Sequence, residues 1–187
     1  HYYEMAKNIR RPFYGIQAKG YMTDRTPLHG IGAMAAYYVH IIQSLQAEGP
    51  YDLGGYSLGG MLAYEVTRQL QEMGDSVDTI VMLDSLFTSE FKEMEVSTNK
   101  QAMLGAVNNA LQAWIQGSPE KFHQTFIHRD EIDKNLDDES FLDRLVNLAK
   151  QRELPVDAKH LKHLILKDTE AQQAYEINRF SVLPLAD

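Results

Sequence analysis

Across residues 31–45 the apolar side chains of Ile31, Met34, Tyr38, Ile41, Ile42 and Leu45 return every three or four positions. That period predicts an amphipathic helix, which Gly49 and Pro50 then stop. A second stripe, Met61, Leu62, Val66, Leu70 and Met73, predicts another helix, with Gly74 placed where a helix ends. Between the two, YDLGGY reads as a strand, and DTIVMLD after Gly74 reads as a further short strand bounded by polar residues. Upstream, residues 2–9 predict the end of a helix. Pro12 then forces an extended backbone, and the aromatic and β-branched residues of PFYGIQA predict a short buried strand there. The order strand, helix, strand, helix, strand over residues 13–84 predicts parallel pairing with crossover helices, an α/β architecture.

Beyond Thr88 the β-branched runs vanish, and helical periods carry KQAMLGAVNNALQAWIQG, DDESFLDRLVNLAKQREL and AKHLKHLILKDTEAQQAYEINRF. The expected organisation is an α/β core over residues 1–87, a helical subdomain over residues 88–175, and a return to the core sheet over residues 176–187. Asp130, Glu131, Asp133, Asp137, Asp138, Glu139 and Asp143 make one stretch sharply acidic, which reads as a solvated helix face and helix caps.

Charge narrows the function classes. The 187 residues carry a formal net charge of −8, so no basic field is available to hold a nucleic-acid backbone or an anionic membrane. The absence of cysteine excludes disulfides, thiolate metal sites and a cysteine nucleophile. No apolar run approaches the roughly 20 residues needed to span a bilayer, and HYYEMAKNIRRP lacks the order of a signal peptide. A cytoplasmic protein is expected, and the missing initiator methionine suggests a piece of a longer chain.

Candidate chemistry centres on Gly55-Tyr56-Ser57-Leu58-Gly59. A serine in G-x-S-x-G between a strand and a helix fits a nucleophile elbow: the turn lifts the hydroxyl above the sheet, and glycines stand where strand and helix nearly touch. The Leu58 backbone N–H, at the positive end of the helix, is placed to stabilise an oxyanion. The plainer alternative is a serine N-cap. Asp84 closes the next strand, 27 residues after Ser57. That puts it at the carboxyl edge of the sheet, as the carboxylate orienting a base or, alternatively, as a helix cap.

RPFYGIQAKGY, MAAYYVHIIQSLQAEGPYDLGGYSLGGMLAYEVTRQLQEMG and VMLDS together resemble the type I thioesterase domain of polyketide synthases and non-ribosomal peptide synthetases, over about residues 3–86. The resemblance implies the α/β-hydrolase fold with a helical lid. It also implies an acyl or peptidyl chain carried on Ser57, received from the phosphopantetheine arm of a carrier-protein domain and released by water or an internal nucleophile. No bound cofactor of its own is implied. Two elements of the family pattern are missing: the late Gly-x-His loop that supplies the base, and the first strand and loop that supply a second oxyanion donor. Both omissions suggest the central part of a thioesterase domain.

Of the later histidines, His123, His128, His160 and His163 all fall in sequence that reads as lid helix or its connections, and none is expected to be the base. His160 and His163 share a helix face but lack a metal-binding motif, so no metal is expected. In the helical subdomain, Met103, Ala106, Val107, Ala110, Leu111 and Trp114 form a stripe that fits packed core. If the thioesterase resemblance holds, part of it lines an acyl chamber, with Ala106, Ala110 and Trp114 as candidates. An editing thioesterase, a free-standing serine ester hydrolase and a catalytically silent fragment remain as alternatives. The oligomeric state is open.

Overall fold

A computed structural model describes residues 2–20, 25–85, 98–115, 125–175, 180 and 182–186. The elements in chain order are α1 (Tyr3–Asn8), α2 (Ile31–Leu45), β1 (Tyr51–Tyr56), α3 (Leu58–Glu72), β2 (Val77–Leu83), α4 (Asn99–Ile115), α5 (Asp138–Gln151) and α6 (Ala158–Ala174). Contacts divide the chain into two compact units. One comprises His1–Lys19, Gly32–Leu86 and Leu183–Asp187; the other comprises Gly20–Ile31 and Phe87–Val182.

In the first unit β1 and β2 pair in parallel, in register from Asp52 opposite Thr79 to Tyr56 opposite Leu83. Helix α3 connects them and packs on both strands. Its apolar stripe is buried at Met61, Leu62, Val66 and Leu70, but Met73 is 61% exposed. The reason is local: Met73 is the C-cap, past the last turn that faces the sheet. Gly74, at φ +89°, then turns the chain back, its N–H bonding to the Gln71 carbonyl at 3.0 Å while the Asp75 N–H reaches the Leu70 carbonyl at 3.0 Å. This paired closure needs a left-handed residue, which glycine supplies without strain. Helix α2 buries Met34, Ala35, Tyr38 and Val39, while Leu45 at its end is exposed. The Gln69 amide donates to the Gly32 carbonyl at 3.0 Å and ties α3 to α2. On α3 the buried Glu65 accepts from Arg68 at 2.7 Å and from Gln69 at 2.9 Å.

The strand expected over PFYGIQA does not form. Residues 12–18 carry no ladder, Phe13 and Tyr14 are exposed, and the sheet has two strands among the described residues. Composition favours the extended backbone, but a strand exists only through a neighbour's hydrogen bonds, which no local pattern encodes. At the other end of the chain, residues 183–186 bond to α3 without regular structure. There Tyr64 Oη donates to the Leu183 carbonyl at 2.9 Å, and the Ala186 N–H donates to the Gln71 side-chain oxygen at 3.0 Å.

In the second unit α4, α5 and α6 pack on one another around a single apolar cluster that includes Val107, Leu111, Ile127, Leu145, Leu161 and Ile165. Helix starts are capped by carboxylates, Asp137 accepting from the Ser140 N–H at 2.7 Å and Asp157 from the His160 N–H at 3.0 Å. Helix α5 ends with the same paired closure as α3 but without glycine. Glu153 takes φ +60°, its N–H bonding to the Lys150 carbonyl at 2.9 Å and the Leu154 N–H to the Ala149 carbonyl at 3.2 Å. The acidic stretch is partly engaged: Glu131 pairs with Arg152 at 2.6 Å, Asp137 caps α5, and Asp143 pairs with Lys162.

Candidate active site

Gly54, Gly55 and Tyr56 carry β1 to its carboxyl end, and Leu58 starts α3, so Ser57 alone makes the turn between them. Its backbone is at φ +52° and ψ −120°, a region that costs an L-residue of order 1–3 kcal/mol. The turn closes this tightly because two glycines leave room. A Cβ on Gly55 would collide with the Gly59 carbonyl, and a Cβ on Gly60 would collide with the Ser85 side chain. Gly59 is less constrained, with only the Tyr2 hydroxyl 3.3 Å from where its Cβ would lie.

Ser57 is exposed, and its side chain makes no capping bond to α3, so the N-cap alternative does not describe its hydroxyl. Its N–H is committed to the Leu83 carbonyl of β2 at 2.8 Å. The donor available at the elbow is therefore the next one, Leu58 N–H, because the first N–H groups of a helix have no partner within it. That donor carries the positive end of the α3 dipole.

Asp84 follows the last residue of β2, and Ser57 follows the last residue of β1, whose Tyr56 pairs with Leu83. Parallel register thus brings the hydroxyl and the carboxylate to the same edge of the same two strands. Asp84 is exposed and also left-handed, at φ +49°. Tyr56 Oη donates to Asp84 Oδ2 at 3.3 Å. Tyr56 is fixed from the other side, where its N–H donates to the Tyr2 hydroxyl at 2.8 Å. The Tyr2 ring in turn stands against Phe13, centroids 6.4 Å apart. Neither tyrosine was singled out from the sequence. Residue 56 occupies a variable position of the motif, and Tyr2 is distant in the chain, so only strand register and the path of the N-terminal segment bring them in.

The histidines lie elsewhere in the chain. His128 precedes the turn at Arg129–Glu131, its ring edge-on to Phe126 with centroids 5.1 Å apart. His160 and His163 are exposed on α6, and His123 lies outside the described residues. On α4, Ala106 is fully buried in the helix cluster together with Met103, Val107 and Leu111, and Ala110 packs against it. Those positions lie in or against the helix cluster. Trp114, at 44% exposure, is the most exposed of the three candidate chamber residues.

Among the described residues no helix is long and apolar enough to cross a membrane. Over 186 residues, 100% of this chain, the sequence is 50% identical to the polyketide synthase PksR of Bacillus subtilis (strain 168), of which the match covers 7%. It is 45% identical over 73 residues to indigoidine synthase of Dickeya dadantii (strain 3937), covering 39% of this chain and 5% of that protein. The chain thus spans a small fraction of the length of the relatives it matches. Among solved structures, a four-domain nonribosomal peptide synthetase bound to AMP and glycine matches 86% of this chain and 12% of its own, with a TM-score of 0.59 at 24% identity, a likeness of fold. The family model for the thioesterase domain matches residues 1–179. Since that match runs through both units rather than the elbow alone, the whole chain belongs to the thioesterase domain family, hydrolases of the α/β-hydrolase fold.

Proposed function

We propose that Ser57 takes an acyl or peptidyl chain from the phosphopantetheine thioester of a carrier-protein domain and that the chain is released by hydrolysis or cyclisation. The Ser57 oxygen attacks the thioester carbonyl, the C–S bond breaks, and the serine proton leaves with the thiol by way of a base. Water or a nucleophile within the chain then attacks the Ser57 ester and frees the enzyme. Leu58 N–H donates to the oxyanion in both steps. Gly55 and Gly59 belong to the elbow that presents the hydroxyl, and the ionised Asp84 orients the base.

The observation that carries this reading is the strained, uncapped Ser57 on the strand-to-helix turn, with Asp84 at the end of the adjoining parallel strand. The polyketide synthase and nonribosomal peptide synthetase among the relatives support this class of cargo. We keep His128, His160 and His163 out of the role of base: the first packs on Phe126, and the others are exposed on α6. Trp114 is the residue we assign to a chamber wall, while Ala106 and Ala110 support the helix cluster. The cysteine-free, acidic composition supports a cytoplasmic setting.

The test is kinetic. With the chain in its native flanking sequence, Ser57→Ala abolishes turnover of acyl thioesters, and Asp84→Asn costs about 10⁴-fold in rate. Normal turnover in Ser57→Ala refutes the reading. Normal turnover in Asp84→Asn alone makes Asp84 a structural residue and leaves Ser57 in place.

A further inference from the structure

We propose that Tyr56, the residue just before the nucleophile, positions the carboxylate of Asp84, so that one side chain sets the geometry of both reacting groups at the edge of the sheet. This rests on the reading of Asp84 as the orienting acid.

Asp84 projects from a left-handed backbone at the exposed end of β2, and among the described residues its carboxylate is held by one group, the Tyr56 hydroxyl at 3.3 Å on Oδ2. A carboxylate that must present one oxygen to an imidazole N–H gains when the other is held, because its rotation about the side-chain bonds is then restricted in advance. The holder is itself fixed. Tyr56 pairs with Leu83 across the sheet, and its N–H points away from β2 to the Tyr2 hydroxyl at 2.8 Å. The next N–H, that of Ser57, points inward to the Leu83 carbonyl at 2.8 Å. Tyr56 thereby links three things: the N-terminal segment through Tyr2, the serine through the peptide bond, and the acid through its phenol. A phenylalanine at position 56 keeps the ring and the strand but loses the link to the acid.

At 3.3 Å this bond is longer than the usual hydroxyl–carboxylate bond, so its loss is expected to cost no more than about tenfold in rate. The half-exposed ring has a competing use as a wall for the acyl chain. The two roles separate in kinetics, since positioning acts on kcat and chamber contact acts on KM and chain-length preference.

The experiment is a double-mutant cycle of Tyr56→Phe and Asp84→Ala in the chain with its native flanking sequence. It reads turnover of an acyl N-acetylcysteamine thioester and the rate at which a fluorophosphonate labels Ser57. We expect Tyr56→Phe to lower kcat and the labelling rate by up to about tenfold, with KM, chain-length preference and melting temperature unchanged, and to have no further effect in the Asp84→Ala background. Equal losses in both backgrounds, a change confined to KM, or no change at all would overturn the assignment of Tyr56 while Asp84 keeps its role. Undiminished activity in Asp84→Ala would instead overturn the reading of Asp84, and the positioning role with it.

Discussion

The two units solve different problems with similar materials. In the helical unit, apolar side chains from α4, α5, α6 and the segment before α5 close into one cluster, with Val107, Ile127, Leu145, Leu161 and Ile165 removed from solvent. In the α/β unit, β2 leaves Val81 43% and Leu83 40% exposed, and the backbone is left-handed at Ser57 and Asp84. The helix cluster belongs to one unit, and the groups we propose as reactive sit in the other, on a sheet edge held in place by glycines and tyrosines. Strain at such positions persists because the surroundings over-determine it, and it costs stability that function retains.

The contrast extends to buried carboxylates. Burial pushes Glu65 upward, but hydrogen bonds from Arg68 and Gln69 and the Arg68 charge outweigh it and hold the carboxyl below its ordinary value near 4.5. Asp168 on α6 is also buried, and burial raises it above its ordinary value near 3.8 despite hydrogen bonds from Gln172 and Asn109. The first is stabilising when ionised; the second costs stability when ionised. A guanidinium beside one and only neutral amides bonded to the other account for the difference.

The largest effect that would sharpen the comparison comes from Ser57→Gly. Glycine adopts the backbone of residue 57 without strain, so we expect more than a 10⁴-fold loss of turnover together with a gain of about 1 kcal/mol in stability. Chemical denaturation and thioester assays on the same preparation check both; a loss of stability would mean the turn is not strained. Next is Leu145→Ala, which leaves a cavity at the centre of the helix cluster and should cost about 2–5 kcal/mol. Hydrogen exchange should accelerate in α4, α5 and α6, and protection left intact there would break the picture of a single cluster.

The carboxylates come third. Glu65 lies below its unfolded value, so its contribution is present above pH 4.5 and is lost as pH falls through the folded value. Glu65→Gln should therefore cost about 1–2 kcal/mol at pH 7, and the gap to the native protein should narrow below pH 4.5. Asp168 lies above its unfolded value, so its penalty is complete above the folded value and disappears as pH falls towards 3.8. Asp168→Asn should raise the melting temperature by a few degrees at pH 7, an advantage that fades on acidification. Melting curves of both variants from pH 3.5 to 7.5 check the opposite signs, and parallel behaviour would contradict them. The smallest effect is at the helix ends: Glu153→Gly, at φ +60°, should stabilise by about 0.5–1 kcal/mol, whereas Gly74→Ala, at φ +89°, should destabilise by about 1 kcal/mol.

How much of this was legible follows from the range of each cause. Helices α2 to α6 and strands β1 and β2 are written in local periodicity, and the Gly74 closure in a single residue. The elbow was legible because its sterics require glycine at positions 55 and 60, on either side of Ser57. Glu153 gave no signal, since its left-handed turn uses a residue with no preference for one. PFYGIQA misled because its composition encodes extension but not a pairing partner. The stripe on α4 announced burial without saying against what, and the helix cluster took Ala106. The bonds from Tyr2 to Tyr56 and from Tyr56 to Asp84 depend on strand register and a distant segment, which residue spacing does not contain.

The central claim is that the strained hydroxyl at the end of β1 is the atom that carries the acyl chain. Its most direct test is mass spectrometry of peptides from the protein, in its native flanking sequence, quenched during turnover of a slowly released acyl thioester. The account predicts an acyl ester on Ser57 that forms at the rate of thiol release and disappears on hydrolysis. A kinetically competent adduct on any other residue, or thiol release with Ser57 unmodified throughout, would contradict it.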